Sequence, residues 1–381
     1  MMNALSKCGK WPHAAPSWLA LLFAVLPAIP APAQQAGTRP PAAVPLIRQQ
    51  QLVFQYALRS ITPAIVRIDT IGGAQPVRRE TNVMQQRRVT AGFRPADGPT
   101  TGLIWSSDGY ILTSSFNFVR DPVVITVTLS DGQRHVAQLV ARDRPARLAL
   151  LKIDAADLPV PRWVDADELH PGQWALAAGW GYDSAEPAVT VGILSALQRM
   201  DGRAVQTDAK ISPANYGGPL FDVEGRVIGI CVPMGPGEDE LAGVEWYDSG
   251  IGFAIRAEHV RRCVPRLVAG ENLHHGLLGI NLDTREHVVG GDSNETDAGG
   301  LRIIEQPRGP AAEAGLQPDD VITHIDGEPT PRIVDFRRLV ACKAAGDAIR
   351  VDYRRGSQSA SVTLTLASAE DFRRPPTSQP K

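Results

Sequence analysis

Asp208-Ala-Lys-Ile-Ser-Pro-Ala-Asn-Tyr-Gly-Gly-Pro-Leu220 sets a phenol, Tyr216, between Asn215 and the glycine pair Gly217 and Gly218. Outward from this stretch, the chain from Ile65 to about Ile255 consists of short β-rich runs, such as Val123–Leu129 and Ala188–Leu194. Asp-Gly, Gly-Tyr and Glu-Gly turns punctuate them. Frequent strands with turn signals indicate a barrel or a sandwich. The 381 residues, 43% of them hydrophobic, suffice to bury the cores of two or three domains. A net charge of −2 gives no overall basic field, so nucleic acid is not an expected partner. The local run Arg78-Arg79…Arg87-Arg88 reads as a solvated loop in a polar insertion.

Two further stretches join the first. Thr101-Gly-Leu-Ile-Trp-Ser-Ser-Asp-Gly-Tyr-Ile-Leu-Thr-Ser-Ser-Phe116 and Asp143-Arg-Pro-Ala-Arg147-Leu-Ala-Leu-Leu-Lys-Ile153 flank a β-rich run. Together the three resemble the catalytic segments of the HtrA/Deg family, periplasmic trypsin-like proteases with a C-terminal PDZ domain. In that family the first loop looks like Thr-Asp-Ala-x-Ile-Asn-Pro-Gly-Asn-Ser-Gly-Gly-Pro-Leu, and Tyr216 aligns with the serine without a gap. Phe116 stands where the resemblance puts a histidine, and Arg147 where it puts the aspartate that orients that histidine. Asp143 matches an earlier, non-catalytic aspartate. Gly192-Ile-Leu-Ser-Ala196 and Gly250-Ile-Gly-Phe-Ala-Ile255 also match family segments. The resemblance implies a mostly β fold: two six-stranded barrels of the chymotrypsin type side by side, a remnant active site in their cleft, and a β-rich α+β PDZ domain behind them.

The chemistry of the three substitutions points away from hydrolysis. A serine becomes a nucleophile when an imidazole takes its proton and an aspartate holds that imidazole in the right tautomer. Phe116 accepts no proton, and Arg147 stays protonated. A tyrosine phenol ionises near pKa ~10, and its ring fills the space a scissile carbonyl needs. Losing even one triad member can remove roughly a factor of a million in turnover. In the oxyanion loop, Asn215, Gly217 and Gly218 are retained, while Ala214 replaces a glycine. A Cβ at that position either strains the loop or flips a peptide, unless the loop is relaxed and has no catalytic duty.

An active serine endopeptidase with a displaced nucleophile is the alternative, and it needs a base. Of the eight histidines, His13 falls in the leader, His135 on a hairpin edge, and His170 and His259 in connecting segments; His274, His275, His287 and His324 fall in or beside the C-terminal module. Ser114 and Ser115 flank Phe116 but have no base.

That module runs from near Gly276 to near Ala367. Gly309-Pro-Ala-Ala-Glu-Ala-Gly-Leu-Gln-Pro-Asp-Asp-Val-Ile-Thr-His-Ile-Asp-Gly327 closely resembles a PDZ segment, with Asp319 replacing a turn glycine. Gly276, Leu277, Leu278, Gly279 and Ile280 match the carboxylate-binding loop. The resemblance implies that a peptide's C terminus docks there and extends as a strand beside Ile280, Asn281 and Leu282. A groove that is closed or unused is the other reading. Gly290-Gly-Asp-Ser293 lies in a polar stretch that could cover it.

Lys7 and Lys10, the apolar run Trp18–Ile29 and the small-x-small signal Ala31-Pro-Ala33 read as a secretory leader cleaved after Ala33. The run is too short for a comfortable membrane span, so export to the periplasm or beyond is expected, with an uncleaved anchor as the alternative. The expected domains are a signal peptide over 1–33, a Pro/Ala-rich linker over 34–50, a trypsin-like domain over 51–268, a PDZ domain over 272–367 and a polar tail over 368–381. Phe54 and Tyr56 either help build a trimer, as aromatic residues there do in the family, or make a helix-to-core contact. Cys231, Cys263 and Cys342 remain after leader removal, an odd and sparse set. Cys231 reads as a core residue, and a Cys231–Cys263 pair stays open. No Cys and His spacing suggests zinc, and neither metal nor cofactor is expected. The chain therefore reads as an exported pseudoprotease that binds polypeptides or protein C termini, as a scaffold or regulator of protein quality control in the envelope, or as a structural subunit of a homo-trimer or a hetero-oligomer with an active paralogue.

Overall fold

The computed structural model describes residues 43–71, 100–118, 121–181, 186–233, 250–283 and 300–373. The leader with its expected cleavage after Ala33, the Arg78 to Arg88 run and the Gly290 to Ser293 stretch lie outside these residues. Residues 49–381 form one unit, separate from 1–48.

Helix α1 (Ala43–Ile61) begins earlier than the expected Pro/Ala-rich tether allows, with Pro45 in its first turn. A proline is tolerated there because the first amides of a helix have no intrahelical acceptor. The helix delivers Ala57 and Ile61, both fully buried, to the first core. Phe54 meets Trp174 edge to face, with ring centroids 5.4 Å apart. Tyr56 is exposed.

The first barrel comprises β1 (Ile65–Ile71), β2 (Thr100–Ile104), β3 (Tyr110–Ser114), β4 (Val124–Thr128), β5 (Arg134–Asp143) and β6 (Leu148–Ile153), closed in the order β1-β2-β3-β6-β5-β4. The second comprises β7 (Trp174–Gly179), β8 (Ala188–Arg199), β9 (Ala204–Thr207), β10 (Pro219–Phe221), β11 (Val227–Val232) and β12 (Gly252–Arg256), closed as β10-β11-β12-β9-β8-β7. The expected pair of six-stranded barrels is therefore present. Closure leaves no unpaired edge. Side chains such as Ile68, Leu112 and Leu150 in one barrel and Leu194, Val205 and Leu220 in the other have no exposure. Each fully buried aliphatic side chain contributes about 1.5–3 kcal/mol relative to an exposed one.

Helix α2 (Ala257–Val268) follows the second barrel and turns its apolar face inward. The chain then enters the C-terminal sheet: β13 (Leu301–Arg302), α3 (Pro310–Glu313), β14 (Val321–Ile325), β15 (Glu328–Pro329), α4 (Ile333–Ala341), β16 (Ala348–Arg355) and β17 (Gln358–Thr365), with sheet order β13-β14-β16-β17 and β15 on β14. Asp319, expected in a turn made for glycine, has φ +68°, a left-handed conformation that aspartate accepts more readily than most residues. A short helix, α5 (Ala369–Arg373), occupies the first part of the segment expected as a polar tail.

Candidate functional site

Phe116 lies in the 3-10 turn that follows β3, and Tyr216 in the turn that precedes β10. The two barrels thus carry one ring each to their common cleft. The rings meet edge to face, with centroids 5.4 Å apart and an interplanar angle of 79°. Such a pair adds about 0.5–1.5 kcal/mol beyond its burial. Only 7% of Phe116 and 4% of Tyr216 are exposed. Arg147, 8% exposed, occupies the turn between β5 and β6 with φ +56°. Its carbonyl accepts the Ser115 amide at 2.8 Å and the Ser114 hydroxyl at 3.3 Å, which ties this turn to the one that holds Phe116.

The loop before Tyr216 is closed on itself. Asn215 donates its amide to the Ser212 carbonyl at 2.9 Å, and its side-chain oxygen accepts the Ser212 amide and hydroxyl, each at 3.1 Å. The Tyr216 amide donates to the Pro213 carbonyl at 3.3 Å. In a working serine protease the nucleophile's own amide points at the oxyanion; here that donor is turned into the loop. Ala214 does not adopt positive φ, so its Cβ causes no backbone strain, and its carbonyl accepts the Thr101 hydroxyl at 2.6 Å. Gly217 and Gly218 have a packing role as well. A Cβ on Gly217 would lie 2.3 Å from the Thr101 carbonyl oxygen, and one on Gly218 would lie 2.4 Å from that of Ala178.

A second concavity, about 370 Å³, is lined by Gly276 to Asn281 together with Phe336 and Val340 of α4, Arg308 and Phe372. Gly279 has φ +86° and takes the Arg308 amide on its carbonyl at 2.8 Å. Among the described residues, the amides of Leu278, Gly279 and Ile280 have no hydrogen-bond partner. Leu277 differs from expectation: its amide donates to the Ala367 carbonyl at 2.8 Å, so it is already paired. Leu282 bridges to Ile303 and is not part of the lining. Phe372 was not anticipated as a groove residue, because nothing in its local sequence announces that the chain folds back. Its ring stands against Gly279 and Gly309, where an added Cβ would come within 2.8 Å of it.

His259 is not in a connecting segment. It is buried in α2, with its Nε2 3.1 Å from Asp143 Oδ2 and 3.1 Å from Cys263 Sγ. Cys231, Cys263 and Cys342 are free thiols, so the open Cys231–Cys263 pairing is not made. Burial pushes the Cys231 thiol up, as befits an inert core residue.

The arrangement of barrels, cleft and C-terminal sheet has clear counterparts. A trypsin-like peptidase domain matches residues 100–230, and a PDZ domain matches residues 305–355. The "Probable periplasmic serine endoprotease DegP-like" of Pseudomonas fluorescens is 31% identical over 344 residues, covering 83% of this chain and 70% of that protein. The chain belongs to the HtrA/DegP family. Among its HtrA relatives, the protein of the same description from Chlamydia muridarum is 32% identical over 305 residues, and the chain spans 58% of that protein's length. Of solved HtrA structures, "HtrA-type protease AlgW with tripeptide" superposes with a TM-score of 0.64 at 27% identity, covering 82% of this chain and 96% of that one. "HtrA-type protease AlgW with decapeptide" gives 0.61 at the same 27%, covering 85% and 99%. No described helix is long and apolar enough to cross a membrane.

Proposed function

We propose that this HtrA-family chain is an exported pseudoprotease that binds polypeptide C termini in its PDZ groove without hydrolysing them. The observation that carries the reading is the edge-to-face packing of Phe116 on Tyr216 at 5.4 Å, in the cleft between the barrels. On the family pattern these are the base and nucleophile positions, with Arg147 at the orienting position. None of these three side chains supplies a serine-type nucleophile or an imidazole base, the rings fill the space of a substrate carbonyl, and the Tyr216 amide is engaged by Pro213. Export to the periplasm fits the leader-like N terminus and the periplasmic names of the relatives.

The groove supports the binding half. On this reading the unengaged amides of Leu278, Gly279 and Ile280 receive the carboxylate, with Arg308 beside them and Phe336 and Val340 as an apolar wall for a last side chain. Ligands are therefore free C termini with an apolar final residue, bound with affinity on the order of micromolar because a flexible segment must be ordered. Two measurements test the two halves separately. Purified protein should neither cleave unfolded casein nor label with a fluorophosphonate; stoichiometric labelling would sink the pseudoprotease half and favour a displaced nucleophile. Matched peptides ending in an acid or an amide should differ strongly in affinity, and equal binding would remove C-terminal recognition.

A structural role in an oligomer is favoured by one observation of its own. Leu52, Val53 and Tyr56 of α1 are exposed apolar side chains on a helix whose Phe54 faces inward. Sedimentation of the wild type against Tyr56→Glu separates assembly from monomeric binding.

A further inference from the structure

His259 and Cys263 stand four residues apart on α2, which places them on one helical face. Both are buried, and Asp143 at the end of β5, only 1% exposed, faces them. The Asp143 Oδ2, His259 Nε2 and Cys263 Sγ atoms lie within 4.8 Å of one another. The other carboxylate oxygen, Oδ1, accepts the Ala146 amide at 3.0 Å, which fixes the orientation of Oδ2.

Asp143 accepts from His259 Nε2 and from the Cys263 thiol, so the three groups already converge on one point. Nε2 also stands 3.1 Å from Sγ, a spacing it does not use for a hydrogen bond while its proton goes to the carboxylate. The cluster is not a nucleophilic triad, because thiol and carboxylate stand at the same ring nitrogen instead of occupying the two sides of the ring. Burial and the neighbouring Asp143 charge push the Cys263 thiol up, so no free thiolate is stored there.

We infer that Asp143, His259 and Cys263 form a site for a divalent, thiolate-accepting metal ion of the zinc class. Donor atoms at ordinary zinc distances sit roughly 3.3–3.6 Å apart around a tetrahedral centre, so the observed pairs need only open by a few tenths of an ångström. One carboxylate and one thiolate neutralise a dication, and the cations Arg266 and Lys343 of the adjoining cavity are already paired with Glu271, Asp347 and Asp326. The imidazole and thiolate donors select zinc-like ions over calcium or magnesium. A cavity of about 460 Å³ opens beside the three residues, between α2 and the Cys342 to Ala348 stretch of the PDZ module, and leaves room for water as a fourth ligand.

Loading the site moves protons in a defined way. His259 Nδ1 faces the Arg262 guanidinium at 3.0 Å and accepts from it, so Nε2 carries the ring proton. Coordination through Nε2 shifts that proton to Nδ1 and turns the exposed Arg262 side chain away. The Cys263 thiol gives up its proton to solvent, so one proton is released per metal bound.

The test is a titration of the reduced full-length protein with cobalt(II) chloride, followed by zinc(II) competition. One equivalent should produce a thiolate-to-cobalt charge-transfer band in the near ultraviolet with intense visible bands of tetrahedral cobalt, bleached by zinc. Cys263→Ser should abolish the charge-transfer band and weaken zinc binding by at least about 100-fold, while Cys342→Ser leaves both unchanged. Asp143→Asn, which keeps the side-chain shape, should retain the band at weaker affinity, so that a misfolded Cys263 variant does not decide the outcome. Absence of the band at stoichiometric cobalt, or its loss in Cys342→Ser with persistence in folded Cys263→Ser, overturns the site. None of these readouts depends on peptide binding or on proteolysis.

Discussion

Gly217 is held where no other residue fits. Its φ is +88°, and a Cβ would lie 2.3 Å from both the Thr101 carbonyl oxygen and Thr113 Oγ1, atoms of the opposite barrel. At Gly172, with φ +90°, nothing lies within 4 Å of the same added atom. Gly217→Ala should therefore cost about 3 kcal/mol or more, and Gly172→Ala only about 1 kcal/mol, since it bears the backbone term without the collision. Urea unfolding followed by tryptophan fluorescence measures both, and equal costs would refute the seam packing. The Tyr216 amide leads to a second expectation. Phe116→His, Arg147→Asp and Tyr216→Ser combined should remain at least about 100-fold below a working enzyme, the typical cost of one missing oxyanion donor; casein turnover by the triple variant checks it. Phe116, Arg147 and Tyr216 could be singled out in the sequence because the residues flanking them resemble the family pattern. The turned amide was not, because it depends on how the Asn215 side chain folds onto Ser212, a conformation that composition does not encode.

In the C-terminal sheet, Asp326 closes the turn between β14 and β15 while its carboxylate accepts the Arg350 amide at 2.8 Å and the Lys343 ammonium at 2.6 Å. Partial burial works to raise its pKa, but those two donors prevail and hold it below the usual aspartate value of 3.8. Because the folded value is depressed, the stabilisation is present above pH 3.8 and is lost as pH falls through the folded pKa. Asp326→Asn should flatten that acid limb of the stability curve, read by thermal melts at a series of pH values below 5. On α4, Val340 forms part of the apolar groove wall. Val340→Ala should weaken peptide binding about tenfold, as removal of one valine contact implies; isothermal titration on variant protein shown to be folded checks it. Helix α2 shows where reading by element falls short. Its His-x-x-x-Cys spacing becomes a shared face only once residues 257–268 are known to be helical, and a connecting segment carries no such periodicity.

Contacts between the modules are long-range and were correspondingly hidden. The Asp143–His259 pair spans 116 residues, and Arg266 reaches Asp347 at 2.9 Å across the boundary between α2 and the PDZ sheet while also holding Glu271. Leu273 pairs with the backbone of Arg142 and Arg144, so the segment that follows α2 is anchored to the first barrel. Turn and strand signals announced only a barrel or a sandwich, and the resemblance of particular segments to the family specified two barrels and a PDZ module, whereas their joint is written in single charged residues that look like any exposed arginine. Arg266 and Asp347 are both partly exposed, so this ion pair is worth about 0.5–1 kcal/mol. Arg266→Ala should speed hydrogen exchange at the Leu273 and Arg144 amides by about two- to fivefold, and unchanged protection would locate the coupling elsewhere.

Phe372 lines the groove, and Arg373 is its immediate successor in the chain. Whatever is inserted directly after Arg373 is therefore tethered beside the mouth that receives peptides, at an effective concentration far above that of a free ligand. An affinity tag or a surface anchor placed there acts as a local competitor, most of all when it ends in a free carboxylate. Binding measured on protein immobilised in that way reports a partly occupied groove, and the same peptide titrated against tagged and untagged protein should bind the untagged form more tightly.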